Sequence, residues 1–357
     1  MEVYTILFNR LLSEAAKRQA ADLHLSVGSI PAIRQDGAWQ PLEGEKIIEQ
    51  ETLSQIINSF LSEGEQKILT AKKEITIVKE LAGNFRFKIN VYYQKKLLAA
   101  SFRLISQTIR NFESLQLPSI IGTLAEKTKG LLIVAGSYSS GKTNTIAAIV
   151  EYINQTSKRR ILTLESLVEI MFVSKKSIVE QRQIGNDVSS LIDGLKYAKN
   201  QDIDVLVVSE IKDEINKAIP LCLEIASGSC LVILEINAGS TIQAIENIIE
   251  SYSDSKIESA RFLLADVLQG AIVQKLLPKV GGGSILAIEL LIATQPVKSI
   301  IREGKIKQLA TAIETSGSEG MISMTKSLVS LVKNGQVSRE AALASTENQE
   351  NFHIMAK

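Results

Sequence analysis

Cysteine, histidine, tryptophan and proline are scarce in this 357-residue chain, at two, two, one and six. Each scarcity excludes something. Cys222 and Cys230 have no second cysteine pair, and His24 and His353 sit near opposite ends, so neither a disulfide framework nor the ligand spacing of a zinc site is present. Two free thiols acting as small buried apolar side chains in a reducing compartment is the reading left. Long apolar runs are missing too: stretches such as 131–135 and 205–208 fall far below the ~20 residues of a membrane helix and read as buried strands. Neither sign of charge dominates, since 40 basic side chains face 39 acidic ones. No global field gathers nucleic acid or an anionic membrane, and nucleic acid is not an expected partner. Glu2 stands where an export leader needs basic charge, and no long apolar core follows, so a cytoplasmic location is expected.

What is present is a globular composition, 45% hydrophobic and 22% charged, on a chain long enough for two domains. Leu7, Leu11 and Ala15, with Leu12 and Ala16 beside them, repeat at helical spacing, and 21–25 then alternates as a strand does. Residues 30–39 read as two short strands joined at Asp36-Gly37, a dipeptide suited to a hairpin turn. Phe85, Phe87, Ile89 and Val91 alternate and pair in expectation with 98–104, so the first hundred or so residues predict a small α+β domain with an antiparallel sheet. Leu117-Pro118 marks the end of a linker. From Gly130 apolar strands (131–135, 161–164, 205–208, 231–236) alternate with helical stretches (143–155, 189–200, 214–227). That order predicts a parallel sheet with helices on both faces. Residues 279–284 carry a glycine turn, expected as a late hairpin at the sheet edge, and the polar tail after about Ser345 is expected to be unstructured.

The strongest signal is a phosphate loop. The run 131–135 leads into Gly136-Ser137-Tyr138-Ser139-Ser140-Gly141-Lys142-Thr143, which matches G-x-x-x-x-G-K-[ST] between a strand and a helix. The glycines let consecutive N–H groups face phosphates, the helix presents its positive end, Lys142 reaches the β/γ oxygens and Thr143 can hold Mg²⁺. Asn144 completes the binding set, and ATP with Mg²⁺ is the expected ligand.

Acids near a γ-phosphate are needed for hydrolysis, and two strands end in one. Residues 204–209 form an apolar strand finishing at Glu210, placed to polarise water or bind Mg²⁺ through water, and equally placed as an acid that opens the next helix. The run 161–164 ends the same way at Glu165, with the same two readings.

Residues 21–26, 30–34, 85–90 and 102–105, together with the phosphate loop, 161–165, Gln181-Arg182, 204–213, 279–283, 300–303 and 316–321, resemble the PilT-type retraction ATPases of type IV pili over nearly the whole chain. The resemblance implies a PAS-like N-terminal domain over 1–112 and a RecA-like P-loop ATPase domain with a helical end over 113–357. It implies a homo-hexameric ring, cytoplasmic and held at the inner membrane by the platform protein of a pilus machine, with a paralogous pilus ATPase as a further partner. Carried over, it gives Glu210 the activation of water, Glu165 a place near Mg²⁺, and Arg86 and Arg103 a reach to the nucleotide; exposed strand faces also carry arginines for no such reason.

The chain departs from that family in places that bear on turnover. Glu165-Ser166-Leu167 stands where the family has glutamate, aspartate and proline, Ser209 and Lys212 flank Glu210 where it has glycine and arginine, and 228–237 has no histidine where it has two. Ser139 replaces a glycine common in the loop. The expected function is an ATP-binding motor that powers or regulates pilus retraction. The alternative is a nucleotide-binding accessory subunit with little hydrolysis.

Overall fold

The computed structural model describes the chain except for Met1, Gln19, 36–37, Asn84, Gln107, Glu210, 212–213, Glu347 and Lys357, and for Glu2 and Val3 it describes the backbone alone. Two compact units result, Met1–Thr108 with Glu169–Met171, and Ile109–Val168 with Phe172–Lys357.

In the first unit, α1 (Glu2–Lys17) is followed by β1 (Asp22–Ser26), β2 (Ala32–Gln35), β3 (Ala38–Pro41), α2 (Gln50–Phe60), α3 (Glu63–Lys72), β4 (Glu74–Leu81), β5 (Phe85–Gln94) and β6 (Leu97–Ile105). The strands form an antiparallel sheet in the order β3-β2-β1-β6-β5-β4. Alternation makes the core: Phe87, Ile89 and Val91 of β5 turn to one face, where they meet Leu11 and Leu12 of α1 and Leu53, Ile56 and Ile57 of α2. Both expected hairpins form. The β2–β3 pair has Gln35 opposite Ala38, and its Asp36-Gly37 turn lies outside the described residues. The β5–β6 hairpin turns at Lys95 and Lys96, both left-handed at φ 49° and 65°, where sequence rules look for glycine or asparagine.

The second unit runs through α4 (Ile120–Ala125), β7 (Gly130–Gly136), α5 (Lys142–Thr156), β8 (Arg160–Glu165), β9 (Ile178–Gln183), α6 (Leu191–Lys199), β10 (Val205–Val208), α7 (Ile215–Ser227), β11 (Leu231–Ile236), α8 (Thr241–Glu250), α9 (Ile257–Val267), β12 (Leu268–Pro278) and β13 (Ser284–Ile292). It ends in α10 (Gln295–Arg302), α11 (Leu309–Thr315), α12 (Met324–Lys333), α13 (Arg339–Ser345) and α14 (Gln349–Met355). The sheet order is β13-β12-β7-β11-β10-β8-β9, parallel except for the β12–β13 hairpin at one edge. Both faces are covered, as near-continuous apolar strands require. Leu131, Ile133, Val232 and Leu234 pack against α7, α8 and α9, while Leu132, Val134, Leu231 and Ile233 pack against Ile146 and Ile149 of α5. Among the described residues no helix is long and apolar enough to cross a membrane.

The tail after Ser345 departs from expectation. It forms α14, capped by Asn348, whose Oδ1 accepts from the Asn351 N–H at 2.9 Å. Phe352 is fully buried in a separate cluster with Leu277, Ile285, Leu328 and Ala342. One aromatic anchor in a polar segment outweighs the composition around it.

Candidate functional site

The four parallel strands β7, β11, β10 and β8 bring their carboxyl ends, at Gly136, Ile236, Val208 and Glu165, to one edge of the sheet, where open α/β folds take ligands. The 136–143 loop rises from the β7 end. A Cβ on Gly136 would sit 2.3 Å from Ser140 Oγ and 2.6 Å from the Gln274 carbonyl oxygen, so glycine alone fits this close turn. Gly141, at φ 91°, is the N-cap of α5 and offers no side-chain cap, which leaves the helix's first N–H groups to face outward. Ser137, Tyr138 and Ser139 are exposed, as are Thr143 and Asn144, whereas Ser140 is buried. Ser139 is itself left-handed at φ 59°, a conformation that a serine holds at some cost where a glycine would hold it freely.

Lys142 is buried at the centre of the loop. Its Nζ donates to the carbonyl oxygens of Gly136 and Ser137 at 2.9 Å each and to Asn237 Oδ1 at 3.1 Å, and Glu235 Oε1 lies 3.6 Å away. Gln274, fully buried on β12, donates from Nε2 to the Ser140 carbonyl at 2.8 Å and so holds the loop from beneath. Among the described residues, Ser140 Oγ, Thr145 Oγ1 and Gln274 Oε1 are buried polar atoms with no hydrogen-bond partner, and all three belong to this loop, its helix or its support. Three of the six such atoms among the described residues gather here, and a polar group bound at the loop would fit them.

Sequence reasoning missed Glu235 and Gln274. A signal was available for Glu235, the one polar residue in the apolar run 231–236.

The two acids are placed differently. Glu165 ends β8, where its Oε1 accepts from Thr163 Oγ1 at 2.6 Å and Gln181 Nε2 at 3.1 Å. β8 lies three strands from β7, about 14 Å at the usual spacing, so Glu165 does not join the oxygens around Lys142. Glu210, with Lys212 and Asp213, lies outside the described residues; β10, which precedes it, ends between β11 and β8. The arginines belong to the first unit. Arg86 Nη1 is 3.5 Å from Glu80 Oε1, its partner across the β4–β5 register, and Arg103 makes a forked pair with the buried Asp22 at 2.7 and 3.3 Å.

The family model for the type II/IV secretion system protein matches residues 98–350. The chain is 32% identical to the type IV pilus retractation ATPase PilT of Pseudomonas aeruginosa, over 96% of this chain and 98% of that one. It is 32% identical to a twitching motility protein of Neisseria gonorrhoeae, over 90% of this chain and 86% of that one. The crystal structure of the pilus retraction motor PilT with bound ADP superposes with a TM-score of 0.86 at 33% identity, covering 96% of this chain and 98% of the other.

Proposed function

Because this chain belongs to the family of type II/IV secretion system proteins, we propose that it is an ATP-binding motor of a type IV pilus machine that drives or regulates pilus retraction. The observation that carries the reading is the 136–143 loop, strung between β7 and α5 with Lys142 buried at its centre. The residues suit phosphates. Two glycine positions with no room or angle for a side chain, an uncapped helix start and one buried ammonium form a compact anion cradle, and Thr143 sits exposed in the first turn of α5.

In this reading Gly136 to Asn144 hold ATP, and the Thr143 hydroxyl would hold Mg²⁺, which supplies positive charge against the phosphates. Glu165, at the carboxyl end of β8, would help to hold Mg²⁺ at the site. Glu210 orients the attacking water. The first unit is read as PAS-like and the second as RecA-like, in a homo-hexameric cytoplasmic ring docked on an inner-membrane platform protein, with a paralogous ATPase as a further partner. Relatives named for pilus retraction and twitching motility support this setting.

The test is calorimetry with ATP and Mg²⁺ on wild type and Lys142→Ala. Loss of the one point charge aimed at the phosphates is expected to remove most of the affinity, with circular dichroism to establish that the variant is folded. Unchanged affinity in a folded variant would mean that the loop is not the site.

A second reading, a nucleotide-binding subunit with slow turnover, is favoured by two observations. The side chain just past β11 that takes a hydrogen bond from Lys142 is Asn237, which cannot take or give a proton, and the Arg103 guanidinium is already held by Asp22. Removing one transition-state donor commonly costs on the order of 10²–10³ in rate, whereas ground-state phosphate binding needs only the N–H cradle and Lys142. Phosphate release by wild type and Glu210→Gln separates the two. Turnover of ~1 s⁻¹ or faster that Glu210→Gln stops supports a working motor, and slow turnover beside intact ATP binding supports the accessory subunit.

A further inference from the structure

We infer that Glu235 is a resident counter-ion of Lys142 that an entering phosphate must displace, so that strand β11 sets how tightly the loop takes a nucleotide. The inference rests on the reading of 136–143 as a nucleotide site.

The placement of Glu235 follows from strand geometry. Side chains alternate along β11, and Leu231 and Ile233 face α5 while Val232, Leu234 and Ile236 face the opposite layer. Glu235 and Asn237 continue the α5 face. β11 pairs with β7 so that Glu235 lies opposite Val134 and Ile236 opposite Ala135, which puts the end of β11 level with the start of the loop. Glu235 on the strand and Asn237 just past its end thereby reach Lys142, Asn237 from 95 positions away in sequence.

The ammonium has three N–H donors, and three oxygens at 2.9 to 3.1 Å already take them: those of Gly136, Ser137 and Asn237. Glu235 Oε1, at 3.6 Å, therefore acts on Lys142 by charge and not by a fourth good hydrogen bond. The Lys142 and Glu235 side chains are only 6% and 11% exposed, so water screens their attraction weakly. An acid in an otherwise apolar strand is costly unless paired, and Lys142 is a cation close enough to offset part of that cost.

A phosphate group reverses that balance. It needs the charge and donors of Lys142, and it arrives as an anion beside a carboxylate whose cation it is taking. Glu235 must then move away or face a like charge in a poorly screened setting. Room exists: Glu235 and Asn237 line an open cleft of about 370 Å³ whose other polar side chains are Asn216, Asn247, Ser251 and the acid Glu250. The penalty is largest when no divalent cation accompanies the nucleotide, because a metal on the phosphates lowers the charge that Glu235 meets.

The experiment is calorimetry of ADP binding to the full chain, once with EDTA and once with Mg²⁺, for wild type, Glu235→Gln, Glu235→Asp and Lys142→Ala. Glu235→Gln keeps the shape and removes the charge. It is expected to tighten ADP at least about tenfold in EDTA and by less with Mg²⁺. Glu235→Asp, which keeps the charge but withdraws it by one methylene, is expected to fall between wild type and Glu235→Gln. A gain of affinity is not what a damaged fold produces, so the result distinguishes a counter-ion from a structural role. Unchanged or weaker ADP binding in both conditions overturns the inference. Weakening confined to the Mg²⁺ arm also overturns it and assigns Glu235 to the metal instead. If wild type binds no ADP in either condition, or binds it no better than Lys142→Ala does, the nucleotide reading of the loop fails first, a result distinct from a wild type that binds and a Glu235→Gln that binds equally.

Discussion

At the scale of single residues, Cys222 and Cys230 carry the clearest titration consequence. Both are buried, and burial pushes both thiols up to about 12; the charge of Cys230 adds to the effect on Cys222. The thiols stay neutral in the fold when those of the unfolded chain have begun to ionise near their ordinary value of 9.0. Their contribution is therefore flat below about pH 9 and destabilising as pH rises from there toward 12, by up to about 1.4 kcal/mol per pH unit for each thiol. Urea unfolding at pH 8, 9 and 10 checks this, and Cys222→Ala is expected to make the decline shallower while lowering stability at every pH through its cavity. Alkylation of either thiol at pH 8 should wait for unfolding, and fast labelling of the native chain would contradict the burial. The thiols' buried, apolar character was legible from their number and spacing. That Cys222 sits in the field of Cys230 was not, because the packing of α7 against the residue before β11 is a tertiary fact.

At the scale of elements, the clearest correction is α14. A polar, acid-rich tail has no periodic apolar face for a sequence reading to detect, yet Phe352 fills the space between α12 and the β12–β13 hairpin. Phe352→Ala is expected to cost about 3–5 kcal/mol, the usual range for emptying a fully buried aromatic site. Hydrogen exchange would report it as lost protection in α12, α13 and α14 with β7 and β11 unaffected; a loss below about 1 kcal/mol would mean that the helix is only laid against the surface. β9 was equally hidden. Its Ile178–Gln183 segment is polar at four of six positions and lies at the sheet edge, so it has neither the alternation of an exposed sheet nor the apolar run of a central strand. The central strands β7, β8, β10 and β11 were legible because burial on both faces demands unbroken apolar residues.

At the scale of the molecule, the proposed function requires assembly. A ring-forming homo-oligomer, expected as a hexamer, should be seen by light scattering, with its population rising when nucleotide is added. Nucleotide that stabilises the assembled form must favour assembly in return. A monomer at high concentration with and without nucleotide would count against the motor and leave the accessory subunit, entering a ring only with a partner ATPase.

The phosphate loop was determined by the sequence alone, because its chemistry is local. Two glycines, a lysine and a threonine at fixed offsets need only a strand before them and a helix after them, and both are set by neighbouring residues. What surrounds Lys142 was decided by the tertiary structure. Asn237 and Glu235 arrive on β11, and Gln274, 134 positions from the serine it holds, arrives on β12. In a parallel sheet each neighbouring strand is separated in sequence by a crossover, so strand order and not sequence proximity chooses which side chains meet at the loop. The order β12-β7-β11 puts Gln274 on one side of the loop and Glu235 on the other, and keeps the β8 strand that ends in Glu165 three strands from β7.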